Sequence, residues 1–307
     1  MSSSSESSMF DDLDLDWEHR KNRIFLGLIF AASMFGVVML ALLLVDIASD
    51  FVVGVTRFEI NLRQFVTVDG SRRAPNAGFR GAIVASIFLM ILTAFFAFFV
   101  GVGSAVYLEE YAPDNRITRL IEANLANLAG VPSIVYGLLA LAAIVNGIGT
   151  GPILLAGAIA LGLLVMPIII VSTQESLRAV PDGLRHGSYA TGATKRQTIR
   201  NVVLPSAMPG IMTGTILALA RAIGETAPLL MVGAIFTNRM PGGSGLSVFG
   251  APLDRFSGMP TQIYAWAAEP DPHFIHLAAV GIVVLLGFLF AMNTIALYIR
   301  HRYETEV

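Results

Sequence analysis

The chain has 307 residues, of which 55% are hydrophobic and only 14% charged; with a mean hydropathy of +0.70 it is too apolar for a water-facing globule, where about 25% of residues are charged. Its apolar residues fall in runs of membrane-spanning length, which implies a polytopic helical membrane protein. The absence of cysteine excludes disulfides, thiolate metal sites and cysteine nucleophiles, and the net charge of -2 is less informative than where the charges lie.

The opening segment, MSSSSESSMFDDLDLDWEHR, is Ser-rich, acidic and poor in apolar residues. Residues 1–23 are expected to form a disordered cytoplasmic tail, with a docking arm as the alternative. It does not resemble a signal peptide, because its n-region is acidic and the apolar run that follows is too long. Six spans are predicted: Ile24–Val45, Gly81–Val100, Leu125–Gly147, Gly151–Thr173, Pro209–Ile235 and His276–Tyr298. Each meets the requirement of about 20 residues for a hydrocarbon core of about 30 Å. The second run stays apolar as far as Leu108. The third is crowded at its start by Glu122, Asn124, Asn127 and Pro132.

Residues 46–80 are predicted as an external loop, and the alternation in FVVGVTRFEI predicts brief strand pairing there. Residues 236–275, rich in Gly and Pro, are predicted as an irregular outer loop with one short helix over PTQIYAWAAE. With the N-terminus inside, inner segments hold twelve Lys and Arg and outer loops seven, so both termini are expected in the cytoplasm. Residues 81–300 then form the main transmembrane domain, and 301–307 a cytoplasmic C-terminal tail. No repeat of 20–50 residues is visible.

Catalytic motifs are missing. A P-loop needs Gly-Lys before Ser or Thr, and no Gly-Lys dipeptide occurs; neither H-E-x-x-H nor G-x-S-x-G is found. Catalysis by this chain alone is not expected. His273 and His276 in DPHFIH have too few neighbouring ligands for a metal site and are taken as helix-start residues. Glu109, Glu110, Arg116 and Arg119 form either a solvated inner loop or part of a surface facing a partner.

The inner segment 174–208 is polar and predicted as two helical pieces broken near Pro181–Gly183. Leu184, Tyr189 and Ala193 fall on one face by helical spacing. Gly192 and Ala193 should end the first piece, and TKRQTIRNVVLP should restart a helix that Pro205 stops or bends. Such a helix is either an ordinary surface loop or a lever for a partner protein.

Gly192, nine residues, then Val202-Val203-Leu204-Pro205 resembles the coupling-loop motif of ABC importer permeases, EAA, three residues, Gly, nine residues, I-x-L-P. His186, Gly187 and Ser188 stand at the EAA positions, so the acidic residue is replaced, and Val202 stands for Ile. The blocks YLEEYAPDNRITRLIEANLANLAGVPSIVYGLLAL (107–141) and GATKRQTIRNVVLPSAMPGIMTGTILALARAIGETAPLL (192–230), with the closing span, are similar to the PstA-type permease of the phosphate ABC importer. The resemblance covers roughly residues 81–300.

It implies an all-α membrane protein with six transmembrane helices and the type I ABC importer permease fold, in the plasma membrane among its lipids. It also implies a second permease subunit (PstC-type), two ATPase subunits (PstB-type) that bind ATP and Mg, and an extracellular phosphate-binding protein (PstS-type). This chain would bind no cofactor, metal or nucleic acid. ATP-driven closure of the ATPases would rock the spans between inward-open and outward-open states. His186, Gly187, Ser188, Gly192, Val202, Leu204 and Pro205 are the expected coupling residues.

Arg221 and Glu225 interrupt the fifth span. Each mid-span charge costs about 2.5–3.5 kcal/mol on insertion scales, so such groups face a bundle interior or a watery path. At i and i+4 they either neutralise one another or line the substrate path, where the planar fork of arginine suits phosphate oxygens. The two readings are compatible if Glu225 holds Arg221 until phosphate competes. Gly224 and Pro228 flank the pair as kink or packing residues. The alternatives are a permease for another oxyanion, an ion-driven secondary transporter, which predicts internal repeats that are not seen, and a membrane enzyme, for which no catalytic constellation is found.

Overall fold

An apolar run in a bilayer has no water to satisfy its peptide groups, so it must close hydrogen bonds within itself. In the computed structural model, which describes residues 15–234, 241 and 250–304, every regular element among the described residues is helical. In chain order these are α1 (Leu15–Thr56), α2 (Leu62–Thr67), α3 (Arg80–Val106), α4 (Arg116–Leu128), α5 (Ser133–Ala140) and α6 (Leu154–Arg178). Then follow α7 (Asp182–Ala190), α8 (Lys195–Thr198), α9 (Leu204–Ile223), α10 (Ala227–Val232), α11 (Met259–Ala267) and α12 (Pro272–Glu304). Wider π-turns follow α3 (Tyr107–Tyr111), α5 (Leu141–Asn146) and α8 (Ile199–Val203). Among the described residues five helices are long and apolar enough to cross a membrane, or six if the bent pair α4–α5 is counted as one span.

The chain divides into two units at Val52–Val53. The first contains α1 up to Val52. From Ile24 to Val45 this helix is apolar around its whole circumference, the pattern of a membrane span. At 42 residues α1 is about 60 Å long, twice the hydrocarbon core. Residues 15–23, expected in the tail, belong to this helix; the rest of the tail lies outside the described residues. Residues 46–56 are helical too, and no strand forms in 57–80, where α2 and a 3-10 turn (Ala74–Asn76) are found. Extending an existing helix by one residue adds one hydrogen bond at little cost, whereas a lone two-stranded ribbon is barely stable.

The second unit is built around α6. Its buried face, with Leu154, Ala158, Leu161, Val165 and Ile169, packs against Ala85, Leu89 and Ala97 of α3, and Ala218 and Ala222 of α9 join the same core. Alanine and glycine recur on these faces among the larger apolar residues, because in lipid the helices associate by close van der Waals approach rather than by escape from water. Gly210 and Gly214 of α9 carry this furthest. A Cβ on Gly214 would stand 2.5 Å from Cβ of Ser172 in α6, and one on Gly210 would stand 3.0 Å from Cβ of Ser176. The serine hydroxyls bond back to their own helix, at 3.1 Å to the Ile169 carbonyl and 2.7 Å to the Ser172 carbonyl.

Two predicted spans are broken. The third is not one rod over Leu125–Gly147: α4 and α5 meet at 107°. Pro132 offers no N–H and pushes Val131 out of the helical region, and Gly130 gives no side chain to pack. Tyr136 spans the bend, donating its hydroxyl to the Leu128 carbonyl at 2.7 Å. The fifth span, expected over Pro209–Ile235, stops at Ile223 and restarts at Ala227, with Pro228 in the first turn of α10. Before it, α8, the π-turn and α9 run on continuously from Lys195 to Ile223. Pro205 therefore does not stop this helix: it lies in the first turn of α9, where its missing N–H is tolerated, directly after the π-turn. Of the predicted outer loop, 236–240 and 242–249 lie outside the described residues, and PTQIYAWAAE corresponds to α11. The C-terminal tail is helical through Glu304 and is not described beyond it.

Candidate functional site

The polar segment between α6 and α9 forms a short helix on a rigid base. Leu177 and Val180 at the end of α6, with Val203, Ala207 and Ile211 beyond it, make a buried cluster against which Leu204, Phe98 and Val106 pack. Pro181 then starts α7, and Asp182 in the first turn suits the positive end of the helix dipole. Gly192 ends it. With φ at +83° it takes the left-handed conformation, and its N–H reaches the Tyr189 carbonyl at 2.9 Å while the Ala193 N–H reaches Ser188 at 3.3 Å. That pair of bonds is a Schellman stop. Thr194 caps α8 through a reciprocal box with Gln197, whose side chain accepts the Thr194 N–H at 2.8 Å.

The coupling residues expected from sequence are therefore gathered on one piece. His186 and Gly187 are exposed on α7, and Ser188 is half-buried. The Ser188 and Thr198 hydroxyls are 2.9 Å apart, which ties α7 to α8. Val202 is half-buried on the π-turn, Leu204 packs into the cluster beneath, and Pro205 is exposed. Leu184 and Tyr189 are both exposed, but five residues apart on a helix they point about 140° from one another, and Ala193 lies past the Schellman stop, so the three do not share a face.

The structure separates the charge cluster that follows the second span. Glu109 and Glu110 sit side by side on the π-turn at the end of α3 and take different partners. Arg178 reaches both carboxylate oxygens of Glu109 at 2.8 Å. Arg185 donates to Glu110 at 2.6 Å and to the Leu177 carbonyl at 2.8 Å. Arg119 instead bonds Asp114 at 3.0 Å, and that hydrogen bond holds the exposed Asp114 carboxyl below the usual carboxylate range. Lys195 lies 5.3 Å over the Tyr111 ring. Sequence reading missed Arg178 and Arg185. Their only signal was two arginines flanking Pro181 and two adjacent acids ending another span, and nothing in the spacing joins the two.

Arg221 and Glu225 stand at the second broken span. Arg221 occupies the last turn of α9, where the helix dipole favours a cation. Glu225 lies beyond the helix end, in the link to α10. Their contact, Nε to Oε1, is 3.5 Å, longer than the 2.7–2.9 Å of a tight charged hydrogen bond. The Arg221 side chain is 50% exposed and that of Glu225 20%. A guanidinium held this loosely can engage an anion without first losing a buried partner. His273 and His276 lie in the first turn of α12, and both rings pack on Phe58, at 4.3 and 4.5 Å between centroids.

Comparison with known proteins agrees with this architecture. Over 283 residues the chain is 30% identical to the phosphate transport system permease protein PstA of Yersinia pestis, covering 91% of this chain and 90% of that protein. It is 35% identical to the probable ABC transporter permease protein YqgI of Bacillus subtilis (strain 168), over 68% of this chain and 71% of that one. A bacterial ABC transporter involved in the import of the acidic polysaccharide alginate shares the fold, with a TM-score of 0.62 at 13% identity over 94% of this chain and 98% of that chain. Residues 97–304 match the binding-protein-dependent transport system inner membrane component, a family of ABC importer permeases, and on that match the chain belongs to this family.

Proposed function

We propose that this chain is the phosphate-translocating permease subunit of an ABC importer. The assignment of phosphate rests on the likeness to the Yersinia pestis permease along nearly the whole of both chains. The half-exposed, loosely paired Arg221 supports it, because a guanidinium stays charged when desolvated and matches phosphate oxygens with two donors. In this reading Glu225 occupies Arg221 until phosphate competes, which keeps the path from trapping the anion. The chain pairs with a PstC-type permease, both termini face the cytoplasm, and a PstS-type binding protein delivers phosphate from outside. Two PstB-type ATPases bind ATP and Mg and grip the coupling loops of the two permeases, and on this chain His186, Gly187 and Ser188 of α7, with Gly192 at its stop, meet one of them. Val202, Leu204 and Pro205 carry that motion into α9. The spans then alternate between inward-open and outward-open.

Uptake of radiolabelled phosphate by phosphate-starved cells, with and without this chain, tests the reading. The expected result is loss of an ATP-dependent uptake that arsenate inhibits and that sulfate and molybdate do not. Unchanged uptake, with the chain made and no second importer active, moves the substrate assignment away from phosphate and leaves the permease fold standing.

A further inference from the structure

We infer that Arg185, held by Glu110, is the positioning residue that makes α7 move together with α3 and α6, and so decides how much transport each ATP yields. The inference rests on the importer reading above. Helix α7 has no buried residue, so burial of apolar surface does not hold it in place. What holds it is polar. Arg185 is 20% exposed and Glu110 only 7%, and they meet at 2.6 Å. The other arm of the same guanidinium bonds the Leu177 carbonyl at 2.8 Å, in the last turn of α6. Through Ser188 and Thr198 the helix is also joined to α8, the foot of α9. One nine-residue helix is thus bonded to three spans, and Arg185 makes two of the three bonds.

The end of α3 makes this possible. Glu109 and Glu110 are neighbours in sequence, yet one holds Arg178 before the Ala179–Pro181 hinge and the other holds Arg185 after it. Adjacent helical side chains diverge by about 100°, so the end of α3 grips both sides of the hinge at once. A push on α7 then travels into α3 and α6 as one body instead of being absorbed by bending at Pro181. Removing either charge strands its partner in a poorly solvated place, and α7 is left swinging on its hinge.

The test uses the complete importer in proteoliposomes, with ATP hydrolysis and phosphate uptake measured on the same sample. For R185Q and E110Q the expected result is hydrolysis near the parent level and phosphate moved per ATP lower by at least about fivefold, within the usual range of coupling between sites. R185K, which keeps the charge but not the two-armed reach, should fall between. The exchanged pair E110R/R185E should recover part of the lost yield. Equal yields in parent and variants would overturn the inference. So would a parallel fall in hydrolysis and uptake that the exchanged pair does not relieve, since that is the mark of a purely structural pair. A nitroxide at Gly183→Cys, where nothing lies within 4 Å of an added Cβ, reports the same link without reference to substrate: R185Q should raise its mobility, and unchanged mobility counts against the inference. Lack of phosphate uptake by the parent importer would instead overturn the phosphate reading and leave the nitroxide result to judge Arg185.

Discussion

Arg221 and Glu225 are joined across the end of a helix rather than along it. Four residues apart, they have the spacing of an intrahelical pair, but α9 stops at Ile223 and Glu225 lies in the link beyond, with Nε and Oε1 3.5 Å apart. The pair therefore belongs to a break in a span. A pair this loosely held, half exposed on the arginine side, contributes little to stability, about 0–1 kcal/mol for exposed ion pairs.

Glu225→Gln should accordingly leave the amount of assembled importer and its thermal unfolding nearly unchanged while altering the phosphate dependence of uptake. Arg221→Lys should weaken phosphate uptake more than assembly, because a point charge replaces a two-donor fork. Quantitative blots of membranes beside uptake curves separate the two effects. An equal loss of assembly and transport would return the pair to a structural role.

At the α6–α9 contact, Gly214→Leu should be strongly destabilising. The added side chain meets Ser172 where even a Cβ has no room, and overpacking of this kind costs about 1–3 kcal/mol or more. Gly214→Ala should cost less, and Gly183→Ala, in open space on α7, should change the unfolding temperature least. Thermal unfolding of the three variants in detergent gives the order directly. A Gly214→Leu variant as stable as the parent would mean that the two helices do not approach this closely.

Gly192→Ala should impair coupling without emptying the membrane of the protein. A left-handed residue with a Cβ costs about 1–2 kcal/mol, and the strain falls on the stop that ends α7. The expected result is normal insertion with reduced ATP-driven uptake, and Gly192→Asn, which tolerates the left-handed region better, should recover more than Ala. Identical uptake in the two variants would show that the conformation at this position does not matter.

The bend between α4 and α5 should depend on one hydroxyl. Tyr136→Phe removes the bond to the Leu128 carbonyl, a loss of about 0.5–1.5 kcal/mol, while keeping the ring in the core. A lowered unfolding temperature with intact insertion is expected. Tyr136→Leu, which also removes aromatic packing, should lower it further.

Much of this protein is written in its residues one stretch at a time. Long apolar runs determine that it is helical and membrane-spanning, because a continuous apolar run of about 20 residues satisfies its own backbone in lipid as a helix. Local chemistry also determines the polar helix between α6 and α9, with Pro181 at its start and Gly192 at its stop, since caps and left-handed glycines act within a few residues. The breaks at Pro132 and after Ile223 are partly legible in Gly130, Pro132, Gly224 and Pro228, but whether a span kinks or parts is settled by what packs against it. Tertiary structure alone decided that Glu109 and Glu110 divide their attention between Arg178 and Arg185, 69 and 75 residues away. Spacing along a chain constrains only neighbours on one helix, and an ion pair between helices exists only once α3 and α6 have packed and brought their ends together.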